Sequence, residues 1–87
     1  MRFVHSFTSH ENRYALGVDQ NSGGLYLSIP VGSQLTDYEE YYTISTAEHA
    51  AMSADPAAAK RFADECRAGW HDDRLILKPG TLRGTPR

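Results

Sequence analysis

A dense cluster of turn-forming residues at Asp19–Gly24 constrains this chain more than any other feature. Its Asn and Gly residues readily adopt the positive φ angles that tight hairpin turns require. In Tyr14–Val18 before the cluster and in Leu25–Ile29 after it, large apolar residues recur at every second position. That period places them on one face of a strand. The cluster therefore predicts an antiparallel hairpin.

Two more stretches with the same period flank this hairpin. Arg2–Thr8 alternates along its length, and we expect Phe3 and Phe7 to face inward. The third strand is expected to end near Val31, and Tyr38–Ile44 forms a fourth. The connections are too short for the crossovers that parallel pairing needs, so the sequence predicts a four-stranded antiparallel meander.

Helix signals follow the last of these strands. Ser45 and Glu48 have the spacing of a capping box, in which each side chain satisfies an orphaned backbone N–H, and this predicts a helix over 46–54. Asp55 then precedes Pro56, an N-cap followed by the residue favoured at the first helical position. A second helix therefore begins at Pro56.

The second helix is amphipathic and is expected to end at Gly69. Trp70, just beyond the helix, is predicted to cover the core. Leu75–Leu77 is predicted to add a short terminal strand. The apolar face of the helix, expected to pack on the sheet, consists of Ala59, Phe62, Ala63 and Cys66.

The segregation of strands from helices predicts an α+β fold, with an antiparallel sheet of about four strands and two C-terminal helices on one face. A chain of 87 residues forms one small domain that buries only roughly 60% of its unfolded surface. We expect that domain to span residues 1–79. Residues 80–87, rich in Gly, Pro and Arg, are expected to form a flexible tail.

The charge balance bears on the choice of partner. The net charge is −2, and without the tail residues 80–87 the body carries seven basic and eleven acidic groups, or −4. This argues against a nucleic-acid partner, which needs clustered Lys and Arg, and favours a basic protein. The N-terminus has no signal-peptide pattern and no apolar run is long enough to span a bilayer, so a cytoplasmic protein is expected.

Metal-ligating and nucleophilic residues are scattered along the chain. No two histidines have the close spacing of a zinc site, and the single cysteine, Cys66, has no CxxC partner. Cys66 lies on the apolar face of its helix, which is typical of a buried packing residue. We therefore expect no metal, no cofactor and no catalytic residue. The four histidines are His5, His10, His49 and His71.

An enzymatic alternative stays open at this point. A small hydrolase or nuclease could use His5 with His10 or His71 for acid–base chemistry, if the fold brings them together. Such a site also needs a cation near the scissile group, and Arg13 or Arg74 would supply it.

The segment Asp37–Tyr42 interleaves three carboxylates with three tyrosines. Its simplest interpretation is a solvated strand with some tyrosines in the core. Its functional interpretation is a binding surface, since tyrosine gives a large contact area and carboxylates attract a cationic partner. An edge strand here would also allow a homodimer, and thus a self-associating structural or regulatory subunit. The residues predicted to contact the partner are Asp37, Glu39, Glu40, Tyr41, Asp72 and Asp73.

The order of these parts is a hairpin, the LYLSIPV strand, the DYEEYY segment and a pair of capped helices. Over residues 1–79 it resembles the small bacterial immunity proteins, which neutralise polymorphic or contact-dependent toxins. The resemblance implies a compact, acidic, cytoplasmic protein that covers a toxin's active site or a nearby surface, the partner often being a basic nuclease. The function expected from the sequence is thus a non-catalytic protein-binding module, an immunity protein or antitoxin.

Overall fold

Four antiparallel strands form the sheet that carries the rest of the chain. The computed structural model describes residues 2–32, 37–77 and 85–86. The sheet order β1-β2-β3-β4 and the two helices that follow confirm the predicted α+β meander. The elements are β1 Phe3–Ser9, β2 Tyr14–Asp19, β3 Leu25–Gly32, β4 Asp37–Ile44, α1 Thr46–Ala54, α2 Pro56–Arg67, a 3₁₀ turn at Asp72–Arg74 and β5 Thr85–Pro86.

The turn between β2 and β3 is organised by the carboxylate of Asp19. It accepts hydrogen bonds from the backbone N–H of Asn21 at 3.0 Å, the hydroxyl of Ser22 at 3.1 Å and the backbone N–H of Arg2 at 3.2 Å. Burial disfavours its charged form, but these hydrogen bonds outweigh burial and hold the pKa of Asp19 below its usual value. Gly23 supplies the positive φ angle of 76°. The predicted hairpin is confirmed.

The strand register assigns each side chain to one of two faces. Leu16 pairs with Leu27, which pairs with Tyr42, and this row lies on the face that the helices cover, here called the inner face. Side chains at the alternate positions lie on the opposite, outer face. No helix of the described chain has its buried residues on the outer face.

The hydrophobic core lies between the inner face and the helices. Cys66 is fully buried there, as the sequence predicts, and burial raises the pKa of its thiol to about 12. Cys66 is therefore a packing residue. The core consists of Tyr14, Leu16, Leu27, Ile29, Val31, Tyr42, Ile44, Met52, Ala59, Phe62, Ala63 and Cys66.

Both predicted helix starts are confirmed. The Ser45 hydroxyl accepts from the N–H of Glu48 at 3.1 Å, and the Glu48 carboxylate accepts from the N–H of Ser45 at 2.8 Å. The guanidinium of Arg74 also donates to Glu48 at 2.9 Å. Hydrogen bonds from Arg74 and from the Ser45 backbone lower the pKa of Glu48. The capping box thus ties the start of α1 to the segment after α2.

An irregularity in β1 overturns one sequence expectation. The pairing with β2 shifts register between His5 and Phe7, so that Ser6 is an extra residue and the alternation reverses beyond it. Phe3 consequently lies on the outer face, and Phe7 on the inner face is 51% exposed. The prediction that both phenylalanines face inward is wrong, because a β-bulge breaks the two-residue period.

The segment after α2 also differs from expectation. Trp70 is 70% exposed, so the prediction that it covers the core is wrong. Leu75–Leu77 forms no strand; Leu75 makes a single bridge with Tyr42, and the N–H of Ile76 donates to the carbonyl of Tyr41 at 2.9 Å. These residues lie along the outer edge of β4.

The predicted tail over 80–87 falls mostly outside the described residues. The exception is β5, whose Thr85–Pro86 pairs with Val31–Gly32 of β3, so paired backbone occurs where the sequence suggests a tail. Among the helices described, none is both long and apolar enough to cross a bilayer.

The capping box gives a test of the local basis of this fold. Replacing Ser45→Ala removes the oxygen that caps α1, and we expect the free energy of unfolding to fall by about 1 kcal/mol. Ser53→Ala is the matched control, because Ser53 is exposed inside α1 and Ala has the higher helix propensity. Urea denaturation of both variants measures the difference, and equal losses would contradict the capping role.

Candidate functional site

A carboxylate at the centre of the outer face joins three of the four main strands. Glu39 of β4 accepts a hydrogen bond from the Ser28 hydroxyl of β3 at 3.1 Å and another from the Tyr41 hydroxyl at 3.1 Å. The Nε2 atom of His5, on β1, lies 3.2 Å from both of its oxygens. Glu39 therefore fixes the edge strand β1 to the distant strand β4.

The imidazole of His5 is fully engaged inside this network. Its Nδ1 atom lies 2.7 Å from the hydroxyl of Tyr26. Burial, with the nearby charge of Glu39, raises the pKa of Tyr26 to about 12, so the phenol is protonated. The Glu39 carboxylate at Nε2 can only accept, so in the neutral ring Nδ1 is the acceptor and the Tyr26 hydroxyl donates to it. The proton of the neutral ring then lies on Nε2 and points at the Glu39 carboxylate.

Aromatic rings cover the network where no helix does. The ring of Phe3 stacks on that of Tyr41, with centroids 3.8 Å apart and planes at 10°. Both rings also meet Tyr26 edge to face, at 5.4 and 5.1 Å. Tyr26 is 0% exposed as a result. We call these residues the outer-face cluster: Phe3, His5, Tyr26, Ser28, Glu39 and Tyr41.

A glycine in β2 makes room for the cluster. A Cβ atom at Gly17 would lie 2.2 Å from the carbonyl oxygen of Val4 and 2.4 Å from the hydroxyl of Tyr26. Only glycine allows this approach of β1 and Tyr26 to the β2 backbone. A glycine inside an alternating strand signals such an approach, and it is the one sequence feature that could have pointed to the cluster.

The structure brings only part of the predicted contact surface together. Glu39 and Tyr41 belong to the outer-face cluster, and both are half-buried. Asp37 is exposed, and the register places it on the same face, two positions before Glu39. Glu40 instead lies on the inner face, 4% exposed, where it accepts from the Tyr42 hydroxyl at 3.0 Å. As placed, Glu40 is not part of an exposed patch.

The other two predicted contact residues lie in a different part of the molecule. Asp72 and Asp73 are exposed in the 3₁₀ turn after α2, which packs near β4. Their positions on the chain connect them to the helical layer rather than to the outer-face cluster. Sequence reasoning also did not identify Phe3, His5 or Tyr26 as neighbours of Glu39.

The remaining histidines lie apart from His5. His71 contacts Glu65, with 2.7 Å between Nε2 and Oε1, and stacks on Phe62 at 4.4 Å beside the helices. His49 lies on α1. Over the described ranges, no three His, Cys, Asp or Glu side chains are grouped so as to hold a metal ion.

A shallow cavity of about 210 Å³ opens beside the cluster. Its lining includes His10 and Arg13 from the β1–β2 turn, Pro30 of β3 and Glu39. Arg13 has a positive φ of 54°, and Arg67 at the end of α2 donates to its carbonyl and holds the turn in place. The cavity thus has His10, Arg13 and Glu39 among its lining residues.

The chemistry of the outer face suits contact with a cation. An ionised carboxylate has about four acceptor positions, and internal donors to Glu39 occupy three of them. Its side chain is 35% exposed, next to the half-buried ring of Tyr41. The network holds both groups in fixed positions before any partner arrives.

No protein-family model matches this sequence, and no curated protein or solved structure is significantly similar to it. The likeness to immunity proteins therefore rests on the order of the elements alone.

The buried phenol of Tyr26 predicts a loss of stability at high pH. Its pKa of about 12 exceeds the ordinary value of 10.0. Its contribution to the free energy of unfolding is therefore complete below pH 10 and is lost as the pH rises from 10 towards 12. For one such group, the free energy of unfolding falls by at most about 1.4 kcal/mol per pH unit.

Urea denaturation at pH values from about 9 to about 12, in steps of about one unit, measures how the free energy of unfolding changes with pH. Tyr26→Phe should make the slope smaller without removing it, because the raised pKa values of Tyr41 and Cys66 contribute in the same range. The control Tyr38→Phe, outside the cluster, should leave the slope unchanged. An unaltered slope in Tyr26→Phe would mean that the phenol is not held in its protonated form by the fold.

Proposed function

We propose that this chain is a non-catalytic protein-binding module, an immunity protein or antitoxin of the cytoplasm, that neutralises a basic toxin by covering its functional surface. The single observation that carries the proposal is the carboxylate–tyrosine pair of Glu39 and Tyr41, held rigidly on a sheet face that the described helices leave open. The contact surface proposed is Asp37, Glu39 and Tyr41, with Phe3 and His5 beside them.

The charge of this face supports a cationic partner. Asp37 and Glu39 are the carboxylates of this face that reach its surface, since Asp19 is buried in the β2–β3 turn, and no Lys or Arg occupies an outer-face position of the described strands β1–β4. The whole chain also carries a net charge of −2. A negative patch on a negative body accelerates association with a basic protein and disfavours acidic ones.

The rigidity of this face supports affinity. Glu39 is held by donors from Ser28, Tyr41 and His5, and the Tyr41 ring is stacked on Phe3. Side chains that are already ordered lose little conformational entropy on binding. Tyrosine is also enriched where interfaces gain most of their energy.

Inhibition by occlusion requires no reactive group. His5 lies between the Glu39 carboxylate and the hydroxyl of Tyr26, and Tyr26 is fully buried. The role proposed for the outer-face cluster is therefore that of a positioned surface. The proposed mechanism is steric coverage at a 1:1 ratio, with Glu39 and Asp37 pairing with Lys or Arg of the toxin.

The second candidate function is a small histidine-dependent hydrolase or nuclease, and the cavity beside the cluster is the observation that favours it. Its lining includes His10, Arg13 and Glu39. One imidazole is too few for paired acid–base catalysis unless Glu39 is the second group, and Glu39 is already bound by His5. Turnover of a nucleic-acid or ester substrate, abolished by His10→Ala, would establish this alternative.

Neutralising the carboxylates of the outer face tests the binding proposal. A lysate of the native host is passed over the immobilised protein, the retained basic protein is identified, and its affinity is measured with purified components. Asp37→Asn and Glu39→Gln should each weaken that complex about tenfold or more and reduce its sensitivity to salt.

Asp64→Asn is the matched control, because Asp64 is exposed on α2 in the opposite layer. It should leave the affinity unchanged. Expression of this chain should also protect cells from the retained protein. An affinity that neither outer-face substitution changes would refute the proposed surface.

A further inference from the structure

The outer edge of β1 has no partner strand in the described part of the chain. The sheet order ends at β1 on one side and at β4 on the other. The edge of β4 is bridged by Leu75 and Ile76, through Tyr42 and the carbonyl of Tyr41. The edge of β1 has no corresponding bridge among residues 2–32, 37–77 and 85–86.

The side chains of β1 are suited to a second copy of the same chain. Val4 and Phe7 are 38% and 51% exposed, and the bulge at Ser6 places both on the inner face. The strand FVHSFTS contains no Asp, Glu, Lys or Arg, and its His5 is tied inward to Glu39. Two copies that are each net negative therefore meet along this strand without charge repulsion at the contact.

The backbone of β1 fixes which groups are free to pair. The carbonyl of Arg2 accepts from Gln20 and its N–H donates to Asp19, so the backbone groups of Arg2 face the β2 side. Because N–H and C=O groups alternate sides along a strand, those of Val4 also face β2, while those of Phe3 and His5 face outward.

Beyond the bulge, the pairing with β2 gives the direction of the β1 backbone groups. Val4 pairs with Val18 and Phe7 pairs with Leu16, two residues apart on β2, so the backbone groups of Phe7 also face β2. Those of Thr8 consequently face outward. Phe3 and Thr8, on opposite sides of the bulge, thus both direct their backbone N–H and C=O groups away from β2.

We propose that β1 pairs antiparallel with β1 of a second copy about a two-fold axis, with Val4 opposite Phe7 of the other copy. In this register Phe3 faces Thr8 of the other copy, and both have outward backbone groups that can exchange hydrogen bonds. Val4 and Phe7 form a non-hydrogen-bonded pair, whose side chains lie closest together. Phe3 and Thr8 share the outer face, and Val4 and Phe7 share the inner face, as antiparallel pairing requires.

This symmetric dimer has a defined shape. The axis passes perpendicular to the sheet between His5 and Ser6, so the four main strands of each copy form one eight-stranded sheet with all four helices on the same side. The outer-face clusters of both copies lie on the opposite side. With strands about 4.8 Å apart, the two β4 strands are about 34 Å from each other.

Cysteine cross-linking tests the register. The double variant Val4→Cys with Phe7→Cys should form a covalent dimer on mild oxidation, because the non-hydrogen-bonded Cα–Cα distance of about 4.5 Å suits a disulfide. The two cysteines of one copy are about 10 Å apart along the strand and cannot bridge to each other. Buried Cys66 does not compete.

Val4→Cys alone should stay monomeric on a non-reducing gel, since its counterpart in the other copy lies three residues out of register. Efficient cross-linking of that single variant, or none in the double variant, would overturn the register.

Sedimentation equilibrium tests the interface without cysteines. The native chain should show a mass that rises with concentration towards that of a dimer. Val4→Lys should remain a monomer because it places two charges in the strand contact, whereas Ala50→Lys, the same change of charge at an exposed position of α1, should behave like the native chain. A native chain that stays monomeric up to millimolar concentration would overturn the proposal, and so would a dimer that survives Val4→Lys.

Discussion

The contact on which the rest of the structure depends is the hydrogen-bonded group of Glu39, His5 and Tyr26. The two helices of the described residues cover the inner face of the sheet. The outer face is closed instead by side chains of its own strands. Glu39 joins strands that are far apart in the sheet, so the edge strand β1 is held by a side-chain link in addition to its backbone pairing with β2.

This arrangement explains why polar atoms can be buried on a face without a second layer. Tyr26 and Ser28 are both fully buried, yet each has a hydrogen-bond partner in the cluster. No buried side-chain nitrogen or oxygen within the described residues lacks a partner. Because an unpaired buried polar group costs about 1–3 kcal/mol, a fully satisfied network favours one arrangement over its alternatives. The same order gives the acidic patch at Glu39 and Tyr41 its fixed geometry.

Local sequence signals determined most of the fold, and long-range contacts determined the site. The Asp19–Gly24 turn, the box of Ser45 and Glu48 and the start at Pro56 depend on neighbouring residues, so they can be predicted from the sequence. The bulge at Ser6 is not marked by any turn residue, and it moved Phe7 to the other face. Trp70 is large and apolar, but its position after α2 left it exposed.

The outer-face cluster could not be predicted for a related reason. His5 and Glu39 are 34 residues apart in sequence, and their contact depends on the register of three strand pairs. A change of one position in any pair would place them on opposite faces. The alternation places Glu39 and Tyr41 on one side of β4 and Glu40 with Tyr42 on the other. The selection of Glu40 as an exposed contact residue did not follow that period, and Glu40 is buried with Tyr42 beneath the helices.

The proton on the His5 ring reports on this network most directly. Long-range ¹H–¹⁵N correlation spectra at neutral to mildly alkaline pH distinguish the two neutral tautomers of an imidazole. We expect the Nε2–H tautomer, because Nε2 faces an acceptor carboxylate and Nδ1 accepts from the Tyr26 hydroxyl. A neutral His5 with its proton on Nδ1, or a rapidly averaging mixture of tautomers, would contradict it.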